Sequence, residues 1–371
     1  MNVFLLQKLT IVIFSYNRHK YLKRVIKYWS NYHVKLLVLD GSDVKLEDPC
    51  LNLKNIKYIY DPKGLYDRLL SSTNYIETEF MVLAGDDEFY LPSALNSCIK
   101  FLCKEPSFSS CGGRAVGFYT NGKEIFGNEQ YPRLKDLCLD YSSASERITK
   151  HFHNYVPAHI YSVMRSSKWK LICKHVFKKA YSCFALDELQ IEFLVMVSGK
   201  SKIISELMWM RNKEVTPVRG NDPSSNNAAS IRTITKWWFD KNFIKEKEDF
   251  IYRMKKACDE ISTDQNFKFT EETITKLFES YINLYLKQRS IIRKTIHQII
   301  PYKIKKLIKP IVVAVWDKII ISKYRSLVEN EKCINLIDEV NLLEEQGVSV
   351  CLLYTSPSPR DRTRSRMPSS A

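Results

Sequence analysis

The stretch that decides the fold is Phe80-Met-Val-Leu-Ala-Gly-Asp-Asp-Glu-Phe89. Its apolar start predicts a buried strand over Phe80 to Leu83, and Gly85 lets the chain turn tightly away from the sheet edge. Three acids, residues 86–88, follow at the strand's carboxyl end, where open α/β sheets bind ligands. Clustered carboxylates repel one another, so this context favours a divalent cation carrying a diphosphate over a solvated acidic turn.

Strand and helix patterns alternate along the first hundred residues around this stretch. The sequence predicts buried strands at Leu9 to Phe14, Val34 to Leu39, Ile56 to Tyr60 and Phe80 to Leu83. It predicts helices at Arg18 to Trp29, at Leu65 to Tyr75 and from Pro92 onward, where proline suits a first helical turn. This order indicates an α/β fold with a mostly parallel sheet flanked by helices.

The remainder of the chain divides into an irregular part and a helical part. Strand and turn signals run from Cys111 to about Phe126, with a hairpin tip at Asn121-Gly122, and mainly helical signals run from Tyr141 to Cys183. A helix over Asp187 to Val197 and a strand over Lys202 to Arg211 follow. Thr216 to Ser230 is turn-rich and predicts a mobile loop. After Thr233 the pattern is helical, which predicts a helical C-terminal extension.

We therefore expect residues 1–230 to form one domain made of two halves, 1–110 and 111–230. Residues 231–350 form a helical, basic extension in this interpretation. The last segment, 351–371, resembles a translated sequencing adapter and is treated as an artefact.

The 371 residues carry a net charge of +16, which points to a polyanionic partner such as a membrane surface, a nucleic acid or a phosphate-rich substrate. No signal peptide and no apolar run long enough to span a bilayer is evident, so we expect a cytoplasmic protein. The ten cysteines lack paired Cys-x-x-Cys spacing, which favours reduced, mostly buried thiols.

The turn after the first strand reads Ser15-Tyr16-Asn17-Arg18 and contains no glycine, which argues against a nicotinamide or methyl-donor fold. Together with Asp40, Arg68 and the acids at 86–88, this turn has the order expected of a nucleotide-diphosphate site. In such a site one acid accepts a hydrogen bond from the base or ribose, a basic group meets the diphosphate, and an acidic pair holds a metal.

These residues carry a resemblance. The run from Thr10 to Arg18, followed by Leu39-Asp40-Gly41-Ser42 and then Ala84-Gly85-Asp86-Asp87-Glu88, resembles family 2 glycosyltransferases, in particular a subgroup with a third acid and an aromatic residue after the acidic pair. The resemblance covers roughly residues 8 to 212. It implies a GT-A fold and the transfer of a sugar from a nucleotide sugar, with 1–110 as the nucleotide-sugar half and 111–230 as the acceptor half.

The resemblance also implies roles for individual residues. Asp40 would contact the nucleobase, Asp86 the ribose or the metal, and Asp87 and Glu88 the metal, although which of the three acids ligates the ion stays open. Mg²⁺ or Mn²⁺ suits such oxygen ligands. The predicted nucleotide-sugar site comprises Ser15, Tyr16, Asn17, Arg18, Asp40, Arg68, Asp86 and Arg211, and the predicted metal ligands are Asp86, Asp87 and Glu88.

An inverting transfer needs a base for the acceptor hydroxyl. Family members carry it at a helix start about a hundred residues after the metal acids, where this chain has Leu186-Asp187-Glu188-Leu189. We predict Glu188 as the base and Asp187 as the second choice, while acids in a first helical turn are also favoured by the helix dipole alone. Arg211 and the loop 216–230 are predicted to close over the diphosphate.

Three histidines, His151, His153 and His159, have no cysteine at zinc spacing, and we interpret them as acceptor-pocket or solvated residues rather than as metal ligands. The segment Lys287 to Arg325 holds eleven Lys or Arg residues against one acid, interleaved with Ile and Leu. It predicts an interfacial helix on anionic lipid, on the inner face of the membrane.

The leading hypothesis is a metal-dependent, inverting glycosyltransferase that uses a nucleotide-diphosphate sugar and a glycan or lipid-linked acceptor in surface polysaccharide synthesis. A nucleic-acid-binding protein is the second class, but its basic and aromatic residues would lie on the sheet, whereas the predicted sheet edge is acidic. A non-catalytic GT-A-like binding module is the third, and it would have lost the metal acids or the base.

Overall fold

The computed structural model describes residues 3–299 except 121–124, 158, 184, 213–233, 263, 265 and 266, and it describes no side chains at 3, 4, 119–128, 285 and 287–299. The predictions for the hairpin tip at 121–122, the loop at 216–230, the side chains of 287–325 and the tail at 351–371 lie outside the described residues.

One mixed sheet of ten strands organises the described chain, in the order β3-β2-β1-β4-β9-β6-β10-β5, with β7 paired to β6 and β8 paired to β10. The strands are β1 (Leu9–Ser15), β2 (Lys35–Asp40), β3 (Ile56–Tyr60), β4 (Phe80–Gly85), β5 (Glu88–Tyr90), β6 (Phe108–Thr120), β7 (Ile125–Gln130), β8 (Cys138–Leu139), β9 (Val163–Arg165) and β10 (Lys200–Asn212).

Helices cover this sheet and continue beyond it. They are α1 (His19–Trp29), α2 (Leu65–Ser72), α3 (Pro92–Lys104), α4 (Ala144–His153), α5 (Ser166–Val176), α6 (Ala185–Ser198), α7 (Ile234–Phe239), α8 (Ile244–Ile261) and α9 (Glu271–Ile299). Short 3₁₀ turns lie at Val3–Lys8, Pro49–Asn52, Pro132–Leu134, His159–Tyr161 and Lys241–Phe243. The predicted fold class, an α/β sheet flanked by helices and followed by a helical region, is confirmed, but the sheet is mixed rather than mostly parallel. In the described part of the chain, four of its strand pairs are parallel and five are antiparallel.

The strands β1 to β4 form the parallel half, in which β1, β2 and β4 are apolar runs covered on both faces, while the edge strand β3 is only partly buried. Every residue of β1 and β4 is buried. The register pairs Ser15 with Asp40 and Phe14 with Gly85. The carboxyl ends of β1, β2 and β4 therefore lie side by side, as the alternating strand and helix pattern predicted.

Two short strands were not predicted. Glu88 was expected in a loop, but it begins β5, which pairs antiparallel with β10 so that Glu88 lies opposite Arg211. The strand β9 interrupts a stretch predicted to be mainly helical and joins β4 to β6. Both have only three residues, too few for a period to be read from sequence.

The C-terminal helices pack against the sheet domain. Phe278 of α9 stacks on Phe193 of α6 with ring centroids 5.2 Å apart, and Phe250 of α8 lies 5.1 Å from Phe278. All three side chains are fully buried. None of the helices in the described part of the chain is long and apolar enough to cross a membrane.

Candidate active site

The acids after β4 are buried against Arg18 and Ser15. Ser15 donates a hydrogen bond to Asp86 (Oγ–Oδ2 2.7 Å), and Arg18 pairs with Asp86 (Nη1–Oδ1 3.2 Å) and, through Nη2, with Asp87. Burial raises the pKa of Asp86 well above its usual value, although the Arg18 charge opposes this. The turn after the first strand thus contacts the acids after the fourth, as the sequence predicted.

Glu88 is held from two sides. The Gly85 amide donates to its Oε2 at 3.0 Å, and Arg211 Nε lies 3.6 Å from its Oε1 across the β5–β10 pair. Burial raises the pKa of Glu88 to about 7, with Arg211 opposing that effect and Asp87 reinforcing it. The three acids are each at most 2% exposed, so they form one buried carboxylate group rather than a solvated turn.

Asp40 ends β2 with both carboxylate oxygens engaged. Tyr58 donates to Oδ2 at 2.6 Å, His19 Nε2 lies 3.1 Å from the same oxygen, and the Ser42 amide donates to Oδ1 at 3.0 Å. Neither Tyr58 nor His19 was singled out by the sequence analysis. These contacts fix the carboxylate at the same sheet edge as the acids after β4.

The residues Tyr16 and Asn17 connect the first turn to the loop after β2. Asn17 exchanges hydrogen bonds with Asp43, donating from Nδ2 to Oδ2 at 2.8 Å and accepting from the Asp43 amide at 3.0 Å. Tyr16 donates to Asp43 Oδ1 at 3.3 Å. Asn17 has φ of 54°, a left-handed conformation that asparagine tolerates better than most residues. Tyr16 and Asn17 therefore help to fix the conformation of the loop after β2.

Arg68 is buried beneath the first turn. Its Nη1 donates to the Ser15 carbonyl at 2.8 Å, and its guanidinium fills the space beside Gly41 that any side chain there would need. Arg68 thus joins the ends of β1 and β2. Its predicted contact with the diphosphate stays a prediction.

The predicted base lies at the start of α6. Tyr155 donates a 2.5 Å hydrogen bond to Glu188 Oε1, and the Glu188 side chain is nearly buried. Asp187 is also buried; burial raises its pKa to about 7, and a hydrogen bond with Tyr66 lowers it. Both acids are therefore buried, and Tyr155 is a hydrogen-bond partner of Glu188.

A stack of aromatic rings lies between the two acidic centres. Trp209 packs parallel to Tyr161, with centroids 4.0 Å apart, and parallel to Tyr131 at 6.2 Å. Arg211 donates to the Tyr131 hydroxyl at 3.2 Å. Glu88 and Glu188 both act on Tyr131 and Tyr161, raising the pKa of each phenol in addition to the larger effect of burial. Glu88 and the predicted base Glu188 thus both lie near one aromatic wall, formed by Tyr131, Trp209 and Tyr161.

The histidines differ from the prediction. His153 is exposed, but His151 and His159 are at most 2% exposed and lie beside Glu192, a residue that the sequence analysis did not single out. Glu192 lies within the apolar run of α6, and a single acid in such a run has no periodicity from which its role could be predicted. The solvated interpretation of His151 and His159 is therefore wrong.

The chain is similar to known proteins in sequence and in structure. The family model described as glycosyl transferase family 2 matches residues 10–174. No curated protein matches the chain significantly. A crystal structure of S. aureus TarS 1-349 in complex with UDP-GlcNAc is similar over 91% of this chain and 91% of that chain, at 13% identity and a TM-score of 0.49. A crystal structure of S. aureus TarS 1-349 is similar over 77% and 91%, at 11% identity and a TM-score of 0.42.

Proposed function

We propose that residues 10–174, which the glycosyl transferase family 2 model matches, form a GT-A domain and that the chain is a metal-dependent, inverting glycosyltransferase. It moves a sugar from a nucleotide-diphosphate sugar to a glycan or lipid-linked acceptor, in the synthesis of a surface polysaccharide. The observation that carries this proposal is the buried carboxylate group at residues 86–88, on the same sheet edge as Asp40 and facing an aromatic wall shared with Glu188.

The donor type at residues 86–88 suits a hard divalent cation. In the described structure their oxygens do not form a group within 4.8 Å of one another, so the side chains must rotate to meet one ion. Carboxylate oxygens are the ligands that Mg²⁺ and Mn²⁺ prefer, and three adjoining buried acids are costly to ionise without a compensating charge. We assign Asp86, Asp87 and Glu88 to hold the ion, which when bound supplies Lewis-acid neutralisation of the departing diphosphate.

The nucleotide binds along the ends of β1 and β2 in this proposal. Asp40 accepts a hydrogen bond from the base, since His19 and Tyr58 already fix its carboxylate in place. Arg18 and Arg211 are the cations nearest the acids, and they balance the negative charge that a diphosphate brings. Preformed contacts of this kind lower the cost of ordering the ligand.

Glu188 removes the proton of the acceptor hydroxyl as that oxygen attacks the anomeric carbon. Tyr155 orients the carboxylate through the 2.5 Å hydrogen bond. Tyr131, Trp209 and Tyr161 exclude water from the space between the two acidic centres, which strengthens the electrostatic interactions there. The base and the leaving-group acids thereby act from different elements, α6 and the β4–β5 turn.

The test is a thermal-shift screen of nucleoside diphosphates, with and without Mn²⁺. We expect one nucleotide to raise the melting temperature only when Mn²⁺ is present, and Asp87→Asn to abolish that dependence. Asp67→Asn, at an exposed position on α2, is the matched control. Stabilisation by oligonucleotides alone would favour a nucleic-acid-binding protein instead. Metal-independent nucleotide binding without sugar transfer would favour the non-catalytic module.

We also propose that the chain binds an anionic membrane surface. The basic composition of Lys287 to Arg325 supports this proposal. Each lysine or arginine near anionic lipid contributes about 1 kcal/mol. We expect the full chain to float with vesicles that contain anionic lipid and to stay behind with neutral vesicles. Equal flotation with both would contradict the membrane proposal without touching sugar transfer.

A further inference from the structure

Three side chains of types that can ligate a metal come together from three elements, one of which is α6, the helix that carries Glu188. His151 comes from α4, His159 from the 3₁₀ turn at His159–Tyr161, and Glu192 from α6. Their side chains are 2%, 0% and 0% exposed. One ligand atom of each lies within 4.8 Å of the other two. No other group of this kind occurs among the described residues.

Three atoms of this cluster lack hydrogen bonds to the described protein: His151 Nε2, His159 Nε2 and Glu192 Oε2. His151 Nε2 and Glu192 Oε2 are only 2.8 Å apart, yet they are not aligned as donor and acceptor. Buried polar atoms are nearly always paired, and an unpaired one costs about 1–3 kcal/mol. Three of them facing one another therefore point to a ligand between them.

The remaining polar atoms hold the cluster in orientation. His159 Nδ1 lies 2.8 Å from Ser201 Oγ, and Glu192 Oε1 accepts a 2.8 Å hydrogen bond from the Ile160 amide. Contacts of this kind, from the far side of a ligand, fix the ring and carboxylate directions in metal sites.

We propose that His151, His159 and Glu192 bind one Zn²⁺ ion through His151 Nε2, His159 Nε2 and the Glu192 carboxylate. Two imidazole nitrogens and one carboxylate oxygen are a common zinc donor set, whereas Mg²⁺ and Mn²⁺ prefer oxygen ligands such as those at residues 86–88. This zinc site is distinct from Asp86, Asp87 and Glu88. Its residues lie elsewhere in the sequence and on other elements, and two of its three ligands are nitrogen atoms.

The site has a direct connection to the base. Glu192 lies one helical turn after Glu188 on α6, and Tyr155, which donates to Glu188, follows His151 by four residues. The rings of His151 and Tyr155 are 5.4 Å apart. The ion therefore ties α4 and the 3₁₀ turn to the helix that presents Glu188, and it acts as a positioning element rather than as part of the reaction.

The first test measures zinc in the wild-type full chain. Protein purified from zinc-supplemented cells is dialysed against excess Mg²⁺, which saturates carboxylate sites but competes poorly for imidazole, and its metal content is measured by mass spectrometry. We expect about one Zn²⁺ per chain, and a melting temperature that falls when a strong chelator removes it. Near-zero zinc with no effect of added Zn²⁺ on melting would overturn the proposal.

Variants locate the ion. His151→Gln and Glu192→Gln should each lose most of the bound zinc, whereas His153→Gln, at an exposed histidine two residues along the same helix, should keep it. Zinc retained equally in all three would overturn the assignment. If the buried variants fail to fold, Co²⁺ substituted into the wild type decides: visible bands typical of mixed nitrogen and oxygen ligation support the site, and their absence refutes it. Zinc loading and nucleotide binding are measured separately, so either can fail alone.

Discussion

Glu188 is the residue whose substitution should affect turnover most selectively. In Glu188→Gln the side chain keeps its size and its place beside Tyr155 but cannot accept a proton. We expect kcat to fall by about 10²–10⁴, the usual contribution of a general base, while donor affinity in a thermal-shift titration stays unchanged.

The matched control for that substitution is Glu146→Gln, at an exposed position on α4. It should leave turnover unchanged. Near wild-type turnover in both Glu188→Gln and Asp187→Asn would remove the base from this helix altogether.

Asp187 predicts a pH dependence of stability. Its pKa is about 7 in the folded chain against about 4 in the unfolded chain, so the folded state favours the protonated carboxyl. The contribution of this group to the free energy of unfolding is therefore fully present below pH 4 and is lost as the pH rises through 7. In Asp187→Asn this loss disappears, and the free energy of unfolding at pH 8 should exceed the wild-type value by up to about 4 kcal/mol relative to the difference at pH 4.

Denaturant unfolding across that pH range measures the effect. The surface variant Asp67→Asn should give a curve parallel to the wild type. Parallel curves for Asp187→Asn and the wild type would contradict the assignment of a neutral buried carboxyl.

At the residue scale, sequence reasoning could single out an unusual run of residues, whose chemical roles stay a prediction. Asp86 to Glu88 were predicted because three acids after an apolar strand have few explanations. Tyr131 and Glu192 were missed, since a single tyrosine in a turn, or a single glutamate in an apolar helix, becomes meaningful only when distant elements bring partners to it.

At the element scale, β10 is the strand on which the site depends. It runs beside β6, pairs with β5 and carries both Trp209 and Arg211. Its length was predicted closely from its apolar pattern, but its register shifts against β6 between Ile203 and Leu207 were not. Such irregularities follow from close approaches between strands, which have no sequence period.

Gly113 makes one of those close approaches. A Cβ atom at this position would lie 2.6 Å from the Cβ of Met208 and 2.7 Å from the carbonyl oxygen of Glu206, so β10 itself would have to move. We expect Gly113→Ala to destabilise the fold by about 1–3 kcal/mol and to lower turnover by displacing Trp209 and Arg211.

The neighbouring Gly112→Ala is the comparison. Its Cβ would meet the Ser162 hydroxyl and the end of the Ile203 side chain, which can shift more easily than a strand. Gly113→Ala should therefore cost more in urea unfolding than Gly112→Ala, and equal costs would argue against a rigid β6–β10 contact.

At the scale of the whole molecule, the parallel half was predictable and the packing of the two halves was not. Alternating strands and helices set the order of β1 to β4, because each apolar run must be covered on both faces. The boundary expected near residue 230 rests on a change of composition, but composition does not reveal which helix faces meet. Those faces are aromatic: Phe152, Phe193, Trp238, Phe250 and Phe278 contact one another across α4, α6, α7, α8 and α9.

Phe278 tests whether this aromatic contact makes the molecule unfold as one unit. Its ring is fully buried between α6 and α8, so Phe278→Ala should cost about 3–5 kcal/mol and lower the temperature of a single melting transition by roughly 6 °C or more. Tyr252→Ala on α8, where the side chain is 57% exposed, should change it little. If the helices instead formed an independent unit, Phe278→Ala would split the calorimetric transition in two, with the nucleotide-dependent part unchanged. A single shifted transition would show that the helices α7 to α9 support the base helix α6 directly, since Phe193 lies on that helix five residues beyond Glu188.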